Sequence, residues 1–399
     1  GPAIRISLTA MTRLPVPRDL DNDYTREQAQ RRREFAHEQT GADLTHVGSF
    51  SFEPDVLPGN IENFLGVAQV PIGLAGPLRI DGEYAQGDFY VPMATTEGTL
   101  VASYNRGMRL LSESGGVKTT VVDDRMQRAP VFILDDARGA RDLAAWIEEH
   151  LSQISAAAES TTSVGRLIEI ERYHVGPMLY LRFDYTTGDA AGQNMVGRAT
   201  WAACEWIKAN HPDGPRYVLS GAIDTDKKHS QLNVLRTRGK RVVAEGVLQA
   251  GLLERMMGVT PMQLFRMRQV SQVGGILAGS ANYGAHAANG LAALFIATGQ
   301  DAANVSESHT AITYSQVTDQ GDYYWSITLP ALIVATVGGG TGLPTQRECL
   351  ELLGCVGPGN VHKFAEICAA VVLAGEVSLA SAVLAGDWVT SHERLGRNR

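Results

Sequence analysis

Cysteine is scarce in this sequence: four in 399 residues, Cys204, Cys349, Cys355 and Cys368, and no C-x-x-C pair. That excludes a disulfide framework and a thiolate zinc site, and points to a reducing, cytoplasmic compartment. No His, Cys and Asp cluster has ligand spacing, so no metal is expected. Basic charge is also in deficit. With 43 acidic against 35 basic residues the net charge is -8 and the pI near 5.7, the opposite of a nucleic-acid footprint, although a local basic pocket for an anionic cofactor stays open. No apolar run of membrane length is uninterrupted. The longest, "ICAAVVLAGEVSLASAVLAG" (367 to 386), carries Glu376 midway and reads as a buried helix pair, with no membrane span expected. No basic-then-apolar secretory signal is read at the start, and Gly1-Pro2 reads as a protease-cleavage scar of recombinant expression.

What is present is a soluble globular composition, 44% hydrophobic and 20% charged, long enough for two domains. Glycine is plentiful, 42 residues, grouped in "GLAGP", "VGGGTG" and "GGILAGSANYGAHAANG", which implies close backbone approach to ligands or between helices. Residues 20 to 42 form a charged segment that reads as a solvated helix, within an N-terminal helical region 1–60. Farther on, "PVFIL" is strand-like, 140 to 160 has helical apolar spacing, and "RLIEIERYHVG" and "PMLYLRFDYTTG" form a hairpin. "NMVGRATWAACEWIKANHP" is again helical and "RYVLSGAI" a strand. The order β-α-β-β-α-β is that of a ferredoxin-like sandwich. The fold expected is α+β: a large domain of Gly-rich helices and sheet, 61–128 and 220–399, with an inserted small ferredoxin-like domain at 129–219.

Four segments carry candidate chemistry. "PMATTEGTLVASYNRG" (92 to 107) places Glu97 in what reads as the first turn of a helix, where an acid balances the helix dipole or serves as a proton donor. In "DTDKKHSQLN", Lys227 and Lys228 follow a strand; such a pair is surface charge or an oxyanion partner. Asp301 in "GQDAANV" reads as a helix N-cap, and His392 in "TSHERLGRNR" as an exposed C-terminal histidine.

Taken in order, "IENFLGVAQVPIGLAGPL", "PMATTEGTLVASYNRG", "RAPVF", "TGDAAGQNMV", "DTDKK", "AHAANG", "GQDAANV", "TVGGGTGL" and "AGEVSLASAVLAG" followed by "SH" resemble the 3-hydroxy-3-methylglutaryl-coenzyme A (HMG-CoA) reductase family. The likeness runs from about residue 60 to the C-terminus and is to the soluble, microbial relatives of the class I catalytic domain. It implies reduction of the HMG-CoA thioester to mevalonate and free coenzyme A by two NAD(P)H, through a hemithioacetal and an aldehyde, for isoprenoid synthesis. It implies a non-Rossmann cofactor domain, and a homodimer or dimer of dimers with the active site between subunits. By resemblance Lys227 is the cation at the carbonyl oxygen, Glu97 the acid that protonates it, its pKa raised by burial among carboxylates, and Asp301 the group bonded to both. His392 is the donor to the departing thiolate, on a C-terminal lid. Arg106, Arg128, Ser220, Asp226, Lys228, His286 and Asn289 match substrate positions. For the cofactor, Asp189, Gly192, Asn194 and Met195 match the nicotinamide loop, with Ser163 and Arg166 near the 2′-phosphate of NADPH.

Three positions depart from the family. Val270 stands near the place of a further substrate lysine, for which Arg266 or Arg268 would substitute. Ser163 stands where animal enzymes have a phosphate-binding arginine, with Arg166 close by, so NADPH is preferred and NADH open. The cofactor loop "AAGQNM" is poorer in methionine. The alternatives are a reductase of a related acyl-CoA thioester and a non-catalytic coenzyme A-binding homologue.

Overall fold

A computed structural model describes residues 14–280, 284 and 286–386. The chain divides into two compact units, one ending at Val70 and the other beginning at Pro71.

In the first unit, α1 (Arg26–Thr40) starts at Thr25, whose hydroxyl accepts from the Gln28 N–H, and stops at Gly41 in the left-handed conformation. A single 3-10 turn follows at Pro54–Val56. The helix is not wholly solvated as its charge pattern predicts. Arg32 is buried, paired with Asp23 and donating to the Pro17 and Phe64 carbonyls, so one guanidinium closes a loop that apolar residues would otherwise have to close. Phe50, Phe52 and Phe64 cluster beside it, with the Arg26 guanidinium 4.8 Å from the Phe50 ring.

The second unit opens with the hairpin β1 (Ile72–Gly82) and β2 (Gln86–Ala94), then α2 (Leu100–Glu113), β3 (Val117–Arg128) and β4 (Val131–Ile133). Next come α3 (Ala137–Glu149), α4 (Leu151–Glu159), β5 (Arg166–Val175), β6 (Met178–Thr186), α5 (Gln193–Asn210) and β7 (Arg216–Val218). The rest runs α6 (Gln231–Arg236), β8 (Gly239–Leu248), α7 (Ala250–Met257), α8 (Pro261–Leu277), α9 (Ala287–Thr298), α10 (Val305–Ser308), β9 (Ile312–Val317), β10 (Tyr323–Leu332), α11 (Pro344–Leu352) and α12 (Val361–Ala385). The strands join in the order β7-β4-β6-β3-β8-β10-β9, with β1 beside β3 and β2, and β5 on β6. All pairings are antiparallel except β1 with β3.

Two hydrophobic clusters result. The smaller packs α3, α4 and α5 on β4 and β6, through Phe132, Leu143, Ile147, Phe183, Val196 and Ile207. One helix expected over 140 to 160 is two, because the His150 ring takes the Trp146 carbonyl and stacks on the Trp146 ring 4.0 Å away. The larger cluster surrounds α12. The apolar run expected to form a helix pair is this one 25-residue helix, long and apolar enough to cross a membrane, with 78% of its apolar window buried in the fold as in a core helix.

Small residues let α12 approach its neighbours. A Cβ on Gly107 of α2 would lie 1.9 Å from the Ala374 carbonyl oxygen, so the two backbones touch there. Gly107→Ala must push the helices apart, and is expected to cost about 1–3 kcal/mol as overpacking, read as a lower urea midpoint with unchanged m. Glu366 on α12 is fully buried and accepts from the Glu83, Tyr84 and Ala85 N–H groups at 3.1, 2.9 and 2.7 Å. Glu366→Ala orphans three donors and is expected to cost roughly 2–4 kcal/mol in the same measurement.

Candidate active site

The segment from Ser220 to Ser230, between β7 and α6, is held in an unusual backbone path. Ala222, Thr225 and Lys227 have φ of 67°, 59° and 56°, a left-handed conformation that costs about 1–2 kcal/mol for a residue with a Cβ. Such a path persists only where its surroundings impose it. Thr225 is fixed by its hydroxyl, which donates to the Asn233 side-chain oxygen at 2.7 Å. Asp226 accepts from Arg238 Nη2 at 2.9 Å and Gln193 Nε2 at 3.3 Å. The Lys227 N–H donates to buried Glu307, whose other oxygen accepts from Arg238 Nε at 3.2 Å. Burial lifts the Glu307 carboxyl to about 7, against the pull of Arg238 and the Lys227 N–H.

This path brings Lys227 Nζ to 2.8 Å from Asp301 Oδ2. The Asp301 hydrogen bond raises the lysine pKa and keeps it a cation. Asp301 Oδ1 meanwhile accepts from the Ala303 N–H, so the carboxylate caps the turn at 302–304 and holds the lysine at once. Arg128 Nη1 and Ser220 Oγ both donate to Asp224 Oδ2 at 2.9 Å, and the Lys228 ammonium folds back on the Asp226 carbonyl.

A second cluster lies where α2, α9 and α12 meet. His286 donates its N–H to Glu376 Oε1 at 2.8 Å and its Nε2–H to the Gly375 carbonyl at 2.7 Å, which leaves Nδ1 to accept from the Asn289 amide at 3.4 Å. Tyr104 donates to the His286 carbonyl; burial, then the Glu376 and Glu97 charges, push its phenol up. Arg106 donates to Ser378 Oγ and to the Ser378 carbonyl. Glu97 itself is exposed, and α2 begins only at Leu100 behind a left-handed Thr99, so the acid precedes the helix rather than sitting in its first turn. Among the described residues, Asp301 is bonded to Lys227 and not to Glu97; the burial among carboxylates expected of this acid is absent from the single chain.

Between α8 and α12 a cavity of about 330 Å³ is lined by Arg268, Ser271, Trp325, Glu376 and Leu379. Burial lowers the Arg268 pKa, with the Glu376 charge opposing. Of the two arginines considered for the missing lysine, Arg268 is half-buried against this cavity while Arg266 and Val270 are exposed.

The loop expected to bind the cofactor lies at the start of α5. Gly192 has φ 86° and a Cβ there would meet Thr187 Cγ2 at 2.2 Å, so the tight turn needs glycine. Among the described residues, no side chain caps the start of this helix. Met195 packs on Gly165, which brings the loop of exposed Ser163 and Arg166 alongside; Arg166 donates to the Gly165 carbonyl. Asn194 is exposed on the first turn. Asp189 uses its carboxylate on the Val361 N–H at the start of α12, and its carbonyl on the Thr336 N–H. His392 lies outside the described residues.

Glu307, Arg238, Gln193, Tyr104 and Glu376 were not among the sequence candidates. Glu376 alone had a signal, a lone acid within an apolar run; Glu307 and Arg238 are 69 residues apart and only the fold joins them.

The family model for hydroxymethylglutaryl-coenzyme A reductase matches residues 28–397. The chain is 46% identical over 374 residues to the 3-hydroxy-3-methylglutaryl-coenzyme A reductase of Pyrococcus horikoshii, covering 92% of this chain and 91% of that one. It is 43% identical over 373 residues to the reductase of Methanocaldococcus jannaschii, covering 92% of each. The class II reductase of Streptococcus pneumoniae, solved bound to NADPH in open conformations, superposes with a TM-score of 0.67 over 89% of this chain and 86% of that one, at 18% identity, a likeness of fold. With the lysine on its strained segment, the aspartate against it and these relatives along nearly all its length, the chain belongs to the HMG-CoA reductase family.

Proposed function

We propose that this chain reduces HMG-CoA to mevalonate and free coenzyme A in the mevalonate pathway, consuming two NADPH, with Lys227 and Asp301 at the reacting carbonyl. The observation that carries this reading is the Lys227–Asp301 ion pair, at 2.8 Å, on a segment whose backbone is strained to make it. When bound, the nicotinamide supplies hydride, twice per turnover. Each delivery leaves negative charge on the carbonyl oxygen, which the Lys227 ammonium offsets and a proton from Glu97 quenches. Collapse of the hemithioacetal returns its hydroxyl proton to Glu97, re-forming the acid for the second delivery, and expels a thiolate, which His392 protonates to free coenzyme A. The resulting aldehyde accepts the second hydride at the same cation. Asp301 holds the ammonium in place and keeps it charged.

The residues at the start of α5 fit an anionic dinucleotide: uncapped N–H groups, the Gly192 turn, and Arg166 with Ser163 on the adjoining loop for a 2′-phosphate. The smaller hydrophobic cluster, drawn from 126–207 with Ile333 added, supports a small cofactor domain at about 129–219. Arg128, Ser220, Asp226 and Lys228 converge on the lysine segment and, with Arg106, His286 and Asn289, form the substrate surround. Arg268 is the charge offered to the distal carboxylate of the acyl group. A homodimer with the site at its interface is supported by the exposure of Glu97 and by the apolar face of α8, where Val270 and Leu277 are 72% and 84% exposed.

Mixing the protein with HMG-CoA and NADPH should oxidise two equivalents of nucleotide per thiol released; no oxidation by a folded protein sinks the reading. An acyl-CoA lacking the distal carboxylate should lose most of kcat/KM, and equal turnover would move the assignment to a related thioester. Lys227→Ala should lower kcat on the order of a hundredfold to a thousandfold while the protein melts normally. Arg166→Ala should raise KM for NADPH roughly tenfold and leave NADH unaffected, since only the former carries the phosphate.

A further inference from the structure

Lys227 is gripped at both ends by one short stretch of chain. The segment from Asp301 to Ser308 offers Asp301 to the lysine's Nζ at 2.8 Å and, six residues later, Glu307 to the same lysine's backbone N–H. Glu307 and Arg238 are both fully buried, so neither reaches a bound substrate. They are joined to each other, Arg238 Nε to Glu307 Oε2 at 3.2 Å, and Arg238 also holds the preceding residue through Asp226 Oδ1 at 2.9 Å. Its remaining nitrogen donates to the Gln127 carbonyl at 3.3 Å, which ties the arrangement to the end of β3.

We propose that Glu307 and Arg238 are positioning residues for the reduction: their buried ion pair clamps the Asp226 side chain and the left-handed backbone of Lys227, and thereby aims the Lys227 ammonium at Asp301 and the substrate carbonyl. The inference rests on Lys227 being the reaction's cation, as argued above. A neutral acceptor would satisfy the Lys227 N–H but would leave the Arg238 guanidinium without its buried counter-charge; a carboxylate does both. A lysine at φ 56° has no intrinsic preference for that path, and releasing its N–H frees the backbone to relax and swing the ammonium away.

The clamp is titratable. The charged groups facing Glu307 are Arg238, which favours its ionised form, Asp226, which opposes it, and the Lys227 ammonium, whose own charge Glu307 favours in return; the neutral Lys227 N–H also donates to the ionised form, and burial is the largest influence, lifting the carboxyl to about 7. As pH falls through that value Glu307 takes a proton, the charged acceptor at Lys227 N–H is lost, and kcat falls.

The test is steady-state kinetics across pH on the full-length enzyme carrying Glu307→Gln, Arg238→Lys or Lys227→Ala, each checked by thermal melting. Glu307→Gln is expected to lower kcat about tenfold to a hundredfold, to leave KM for the thioester nearly unchanged, and to remove the fall of kcat near pH 7. Arg238→Lys keeps the charge but loses the fork, and should lower kcat similarly; it carries the test should the Gln variant fail to fold. A folded Glu307→Gln enzyme with parental kcat and an unmoved acid limb overturns the clamp. An active Lys227→Ala enzyme overturns the reading of the lysine instead, whatever the Glu307 variant does.

Discussion

The burial of one helix, α12, is the constraint on which the second unit depends. Its apolar side chains fill the larger core, and each fully buried Val, Leu, Ile or Phe contributes about 1.5–3 kcal/mol. A buried helix has no water for its polar groups, so each must find a protein partner, and several of those partners lie in segments proposed to make the site. The Val361 N–H takes Asp189, in the loop proposed for the cofactor; Glu366 takes the β1–β2 turn; Glu376 and the Gly375 carbonyl take His286; Ser378 takes Arg106. One helix thereby ties the loop before α5 at one end to the cluster of His286 and Arg106 near the other.

A second set of charges ties β5 and β6 to the lysine segment. Glu169, Glu171 and Asp184 bring their carboxylates within 4.8 Å of one another, a grouping that resembles a cation site by composition alone. Arg125 pairs with Glu169 and Asp184, Arg182 with Glu171, and Arg236 with Glu169 and Glu171, so guanidinium groups already match the charge. Burial, chiefly, lifts Asp184 to about 7. Arg182 also reaches the Asn233 oxygen that fixes Thr225, so the network runs from the sheet into the strained path before Lys227.

The elements of the fold were legible where local patterns decide them: the hairpin at 166–186, the helix after Gly192 and the helical period of 140–160. Features set by distant partners were not. Nothing near Arg32 marks it as buried, nothing in an Ala-rich run says whether it is one helix or two, and the start of α2 moved past Glu97 because Thr99 adopts a left-handed conformation. The candidate site was legible as residue types in order, and the structure shows how some of them, Lys227 and Asp301 first, are held. Asp301 reads equally well as a cap or a catalytic acid because it performs the capping with one oxygen and holds the lysine with the other. Glu307 and Arg238 carry no local signal, since a lone acid and a lone base far apart in sequence become a pair only through folding.

Three of the four thiols give the chain a built-in reporter of its own opening. Cys204 is sealed in the smaller hydrophobic cluster, Cys355 and Cys368 in the larger, and burial pushes all three thiols up, away from the reactive thiolate. A maleimide reaches none of them until the surrounding layer parts. The order in which they are alkylated therefore ranks the two layers by the free energy of their local unfolding, without any added probe.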